Sequence, residues 1–183
     1  HGFAPARRGS CLIHLLKDGT VLISHSGVEL GQALHTKMSC LAAKILDIPV
    51  DLVHVESTDS TVNAEAMSTG AGYTNDVVGF SIIDACDQLK SRIHKYYYTK
   101  DKDGNKIKRP FSDVVKLAYL NKEDLTAHGY YISPQPGFNF DKKIGSPYQY
   151  YEYGAAVSLV EIDVLTGELK VLESHLVFDA GQS

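Results

Sequence analysis

The sequence predicts an α+β fold in which two longer helices and one short helix pack on a mixed β-sheet, the two longer ones on one face. Three observations lead there. Short runs rich in apolar residues form two hairpins, one near each end of the chain, each turning at a glycine. Two long segments repeat apolar residues at helical spacing. The apolar stripes of those helices need a common surface to cover them, and a sheet supplies one.

The first hairpin is "SCLIHLLKDGTVLISHSG", with Cys11 to Leu16 and Thr20 to Ser24 joined at Asp18-Gly19, a dipeptide that tolerates positive φ. The chain then enters "GVELGQALHTKM", and a helix is predicted from about 31 to 46, with Leu34, Met38, Leu41, Ile45 and Leu46 on one face. Pro49 stops it, because the residue before proline is biased away from helical geometry. A short strand follows over 52–57, "LVHVES".

Next comes a loop of small residues, "STDSTVNAEAMSTGAGYTND", which opens a second helix over 73–95 on which Val78, Ile82, Cys86, Leu89 and Ile93 share a face. The stretch 95–110, "KYYYTKDKDGNKIKRP", reads as an exposed polar loop. A third, shorter helix begins near Ser112, a suitable N-cap. "AHGYYIS" and "YQYYEYGAAVSLVEID" are strands, and the second turns at Leu165-Thr166-Gly167 into "ELKVLESHLVF". All three sheet segments, the two hairpins and the 52–57 strand, are expected in one sheet, and 1–183 in a single domain. The tyrosines from Tyr148 to Tyr153 read as core or edge packing.

The chain has 183 residues, 44% of them hydrophobic and 22% charged, so it can bury a sizeable core. A formal net charge of -4 argues against nucleic acid as a partner, since neutralising phosphates needs clustered Lys and Arg. No run approaches the roughly 18 apolar residues of a membrane span, so a soluble, cytoplasmic protein is expected. Cys11, Cys40 and Cys86 lie far apart without a C-x-x-C pair and read as buried free thiols. The eight histidines include no H-E-x-x-H, so no metal site made of side chains is predicted. The chain starts without methionine, as a piece of something longer would.

Two strand–glycine loop–helix units are the places where chemistry is expected. A helix mouth offers free backbone N–H groups, and a glycine lets a ligand come close to them. In order along the chain, "GVELGQALHTKM", "STGAGYTND", "VEIDVLTGELK" and the D-x-G of "FDAGQS" closely resemble one part of the molybdenum hydroxylases, the xanthine dehydrogenase and aldehyde oxidase family. The similarity runs from about Ser10 to Gly181.

The resemblance implies a segment of the large molybdopterin-binding region, in which two small-residue loops embrace the molybdenum cofactor. The cofactor contacts it implies are Gly31, Gln32 and Ala33 in the first loop, and Thr69, Gly70, Ala71, Gly72 and Thr74 in the second. Gln32 would hydrogen-bond the pterin, since an amide offers both donor and acceptor. Two positions depart from the family pattern: its first loop continues G-Q-G where this chain has Gln32-Ala33, and its second carries serine where this chain has Gly72.

The family's catalytic glutamate sits in a G-E-P sequence, which is absent here, as is its F-G-G-K-E loop. Its electron relay through iron–sulfur clusters and FAD needs about eight cysteine ligands, against three here. The implied function is therefore a molybdopterin-binding segment that is not catalytic by itself and whose partners are the remaining segments of such an enzyme or a full-length subunit. The alternative is a shortened non-catalytic relative serving as a structural or binding module. What is encoded beyond Ser183 separates the two.

Overall fold

The computed structural model describes residues 7–64, 66–70, 72–134, 137–139, 141–146, 148–179 and 181. The chain divides into two compact units, Phe3–Gln135 and Pro136–Ser183.

The first unit is built on a four-stranded sheet of order β3-β2-β1-β6, formed by β1 (Arg8–Leu15), β2 (Val21–His25), β3 (Val53–Val55) and β6 (Thr126–Ile132). The hairpin β1–β2 is antiparallel, while β3 runs parallel to β2 because helix α1 (Leu34–Leu46) carries the chain back between them. The remaining helices are α2 (Tyr73–Ile93) and α3 (Phe111–Leu120). Between them, β4 (Tyr98–Lys100) and β5 (Lys106–Lys108) pair as a small hairpin, so the polar 95–110 stretch carries strand pairing of its own.

Register places α1 and α2 on the same side of the sheet. Cys11 pairs across with His25 on one side and Gly129 on the other, so the three share a face. His25 is hydrogen-bonded to His35 of α1, and Gly129 lies so close under Ser81 of α2 that a Cβ there would overlap the Ser81 carbonyl oxygen. Between these layers Ile13, Ile23, Leu34, Met38, Leu46, Ile82, Leu89 and Ile93 are fully or almost fully buried. This is the α+β arrangement expected from the periodicities.

Several boundaries differ for local reasons. The first helix starts at Leu34 and not near 31, because Gly31 and Ala33 adopt positive φ, 102° and 61°, which no helix continues. It ends at Asp47, whose own positive φ closes the last turn before Pro49. Pro110, not Ser112, occupies the cap of α3. Cys11 and Cys86 are buried free thiols, but Cys40 is exposed.

The second unit contains the two-residue pair β7 (Phe138–Asn139) and β8 (Ile144–Gly145), and the long hairpin β9 (Tyr153–Ile162) and β10 (Leu169–Asp179). The C-terminal hairpin thus forms a two-stranded sheet by itself and does not join the four-stranded one; the strand beside β1 is β6. Period-two patterning sets which face a strand buries but not which strand it pairs with, and β6 has the matching length for β1. Every residue of β9 and β10 is exposed, as are Tyr148, Tyr150, Tyr151 and Tyr153, so the tyrosine cluster is not core.

Candidate functional site

The loop from Gly27 to Ala33 links β2 to α1, and its shape is set from within. Glu29 folds its carboxylate back to accept the N–H groups of Gly31 at 2.8 Å, Ala33 at 3.1 Å and His35 at 3.0 Å. These bonds, that of His35 foremost, hold its pKa below the usual carboxylate range. The mouth of α1 therefore already has its anion, which occupies the N–H groups a ligand phosphate would want.

Gln32 completes the loop. Its Oε1 accepts the N–H of Leu30 at 2.6 Å and its Nε2 donates to the carbonyl of Val28 at 2.9 Å. A primary amide has two donor hydrogens and two acceptor lone pairs, so one of each remains on this exposed side chain, and the loop bonds fix where they point.

The second loop, 58–72, is stitched to the first. Thr58 Oγ1 donates to the Gly27 carbonyl and Thr69 Oγ1 accepts the Val28 N–H at 2.9 Å, while Asn63 Nδ2 ties the second loop to β2 by donating to Ser24 Oγ at 2.8 Å. This loop hands the chain to α2 through Gly72, whose φ of 79° suits a residue without Cβ.

Between the loops opens a cleft of about 310 Å³, within the range of small-molecule sites. Of the residues implicated by the sequence, Gln32, Thr69, Gly70, Gly72 and Thr74 line it together. Gly31 and Ala33 do not line it; their N–H groups go to Glu29. Ala71 lies outside the described residues. Thr74 Oγ1 is buried beside the cleft without a hydrogen-bond partner among the described residues.

Four lining residues escaped the sequence reading: Leu30, Leu34, Lys37 and Asn75. Lys37 was visible in "HTKM", three residues after Leu34 and so on the same helical face, and Asn75 in "YTND" at the first turn of the next helix. Lys37 is the one charged residue among them, giving the cleft a cation alongside apolar Leu30 and Leu34. Such a cleft suits a flat polar ring with an anionic substituent. Among the described residues no group of three or more His, Cys, Asp or Glu could hold a metal ion, and no helix is long and apolar enough to cross a membrane.

Comparison with known proteins points to one family. A family model described as molybdopterin cofactor-binding domain matches residues 2–183. Xanthine dehydrogenase of Oryza sativa subsp. japonica is 37% identical over 176 residues, covering 96% of this chain and 12% of the rice protein. Xanthine dehydrogenase/oxidase of Felis catus is 35% identical, again over 96% of the chain and 13% of the relative. The chain thus spans about an eighth of the relatives it matches. Among solved structures, carbon monoxide dehydrogenase from Oligotropha carboxidovorans superposes with a TM-score of 0.72 at 18% identity, covering 93% of this chain and 22% of that one. Aldehyde oxidoreductase from Desulfovibrio gigas gives 0.68 at 17%, over 97% and 19%; at these identities the likeness concerns the fold. With residues 2–183 matched, the chain belongs to the molybdopterin cofactor-binding domain family and is similar in sequence to a segment of the xanthine dehydrogenases.

Proposed function

We propose that this chain is the molybdopterin-binding segment of a xanthine dehydrogenase or aldehyde oxidase-like molybdenum hydroxylase, forming one wall of the cofactor site and not catalytic by itself. The observation that carries the reading is the cleft in which two separate glycine-bearing loops converge on Gln32, Thr69, Gly70, Gly72 and Thr74. The residues present fit the group. Gln32 retains a fixed donor and acceptor for a pterin edge, Lys37 offers a cation to its phosphate, and the unpartnered Thr74 hydroxyl sits at the wall. When bound, the molybdenum cofactor supplies the redox centre at which a substrate carbon is hydroxylated. The chain's own part is to hold and orient that group; the general base and the electron relay belong to other segments of such an enzyme.

The partner in this reading is the rest of that enzyme, and the β9–β10 hairpin supports it. One face of the hairpin, Gly154, Ala156, Ser158, Val160 and Ile162 beside Leu169, Val171, Ser174, Leu176 and Phe178, carries no charge and is exposed throughout. The other face bears Glu161, Lys170, Glu173, His175 and Asp179. A chargeless face of this extent is a surface waiting for cover. A second reading, a shortened relative serving as a binding module in the cytoplasm, is favoured by one observation: both ends of the Gln32 amide bond the backbone of its own loop.

Calorimetric titration of molybdopterin into the full chain tests the proposal. The expected dissociation constant is about 0.1 mM or weaker, because association costs on the order of 4 kcal/mol or more and only one wall is present. Gln32→Ala should weaken it about three- to tenfold, the value of one or two net hydrogen bonds. Absence of saturable binding that depends on Gln32 would overturn the reading in favour of the module. No purine or aldehyde turnover is expected from the chain alone.

A further inference from the structure

Beneath the first loop lies a pair of histidines that the cofactor reading does not use. His25 ends β2 and is fully buried; its Nδ1 accepts the Gly27 N–H at 3.1 Å, and its Nε2 meets Nδ1 of His35 on α1 at 3.0 Å. These two bonds fix both tautomers. Because Nδ1 of His25 accepts, its proton is on Nε2 and is donated to His35 Nδ1, which leaves the proton of His35 on its own Nε2. The chain N–H(Gly27)→His25→His35 therefore runs in one direction, from the start of the loop to the first turn of the helix that ends it.

We infer that His25 and His35 are the positioning pair of this site, a directional hydrogen-bonded relay that clamps both ends of the Gly27–Ala33 loop and holds the cleft in its binding shape only while neither ring is protonated. As to cofactor, the inference rests on the function proposed above; as to the loop, it stands on the geometry. A proton added to either Nδ1 faces a donor already there, the Gly27 N–H or the His25 Nε2–H, so uptake of one proton breaks a link of the relay whichever ring takes it. The site has little room to absorb the break. A Cβ at Gly27 would come within 2.7 Å of Leu34 and 2.8 Å of Thr74, so the loop's first residue is wedged between α1 and α2.

The groups around His25 reinforce the neutral state. Burial, followed by the neighbouring His35, pushes its pKa down to about 4, with Glu29 opposing. Across on β1 stands Cys11, whose thiol burial pushes up to about 11 and keeps neutral. From α2 Thr74 and Val78 reach Gly27, and neither ionises. The chain leaving β3 brings Glu56, whose N–H bonds the Ile23 carbonyl.

The full chain without cofactor provides the test. Nitrogen-15 NMR of the imidazoles at neutral pH should show both rings as the Nε2–H tautomer, and the Gly27 amide should exchange slowly. Acidification should raise Gly27 exchange in step with ring protonation. His35→Leu, which removes the acceptor, should speed Gly27 exchange by about tenfold, the worth of one buried hydrogen bond. His35→Asn, whose Oδ1 can take the place of Nδ1, should restore protection and remove the acid response of that position. An Nδ1–H tautomer on either ring at neutral pH overturns the inference, even if a variant fails to fold, and so does unchanged Gly27 protection in a folded His35→Leu chain. Molybdopterin titrated at neutral and acid pH then reads the coupling: binding should weaken by about tenfold on acidification in the unaltered chain and less in His35→Asn. Equal pH dependence in both overturns the coupling, whereas no binding at any pH with the tautomers as stated sinks only the function proposed above.

Discussion

The two long hairpins of this chain share a sequence grammar and differ in fate. Both alternate apolar residues and turn at a positive-φ glycine, Gly19 in one and Gly167 in the other. In β1–β2, residues Cys11, Ile13, Val21 and Ile23 are completely buried under α1 and α2. In β9–β10, Val157 is 70% exposed and Leu176 74%. The difference teaches that alternation makes a strand but not a core. A two-stranded ribbon is marginal until a layer covers it, and in the first unit the two helices are that layer.

The largest effect that would break this comparison is a truncation in each hairpin. Ile13→Ala empties a fully buried site and should cost about 3 to 4 kcal/mol. Val157→Ala removes methyls that water already reaches and should change stability by less than about 0.5 kcal/mol. Urea denaturation of the two variants reads both values. Comparable losses would mean that the second hairpin is covered within the isolated chain.

Acid should separate the hairpins next. His25 of β2 is buried neutral with a pKa near 4, against about 6.5 when unfolded. Between those values the unfolded chain binds more protons, so stability rises with pH over that window. The stabilisation is complete above about pH 6.5, is lost progressively as pH drops towards 4, and amounts to on the order of 3 kcal/mol. His175 of β10, exposed beside Glu173 at 3.1 Å, belongs to a surface pair of little weight. The denaturation midpoint should therefore fall between pH 7 and pH 4.5, and by less in a His25→Asn background, while His175→Asn should change stability at pH 7 by less than about 0.5 kcal/mol.

The two turns give a narrower test. Replacing Gly167 by Ala forces a left-handed conformation on an L-residue in open space and should cost about 1 kcal/mol. Gly19→Ala carries the same penalty plus an overlap, since its Cβ would lie 2.8 Å from the Ser112 Cα and 2.9 Å from its Cβ at the start of α3. A further 1 to 2 kcal/mol is expected there. Equal costs at both turns would show that α3 yields without resistance.

What the sequence disclosed follows the same division. Periodicity located α1, α2 and β1–β2 because burial enforces it, β9–β10 was legible from its alternation and its turn alone, and the two glycine-bearing loops from motif order. The partnering of strands was not legible: "AHGYYIS" and "YQYYEYGAAVSLVEID" have equal claims to the edge of β1 by pattern alone, and only backbone geometry chose the first. Nor was Glu29, which read as one more residue of a motif, although its carboxylate organises the helix mouth that free N–H groups were expected to leave open. Local side-chain to backbone bonds leave no periodic trace.

The smallest effect concerns the backbone between the hairpin and its helix. Both hairpin turns put glycine where φ is positive, but the loop before α1 puts Ala33 there, at φ 61° and ψ 35°, stabilised by the bond from its N–H to Glu29. Left-handed geometry costs an alanine roughly 1 to 2 kcal/mol relative to glycine, partly offset by glycine's greater freedom in the unfolded chain. Ala33→Gly should therefore raise stability by about 0.5 to 1 kcal/mol, measured as a rise in the urea midpoint with an unchanged slope. Its counterpart at the second loop points the other way. Gly72 has φ 79°, so Gly72→Ser, which adds the hydroxyl expected from the family pattern, should destabilise by about 1 kcal/mol. If Ala33→Gly instead lowers the midpoint, the Glu29 bonds and not the residue type set the loop's conformation. Glu29→Gln, which keeps the shape but drops the charge that three N–H groups converge on, would then show the larger loss of the two.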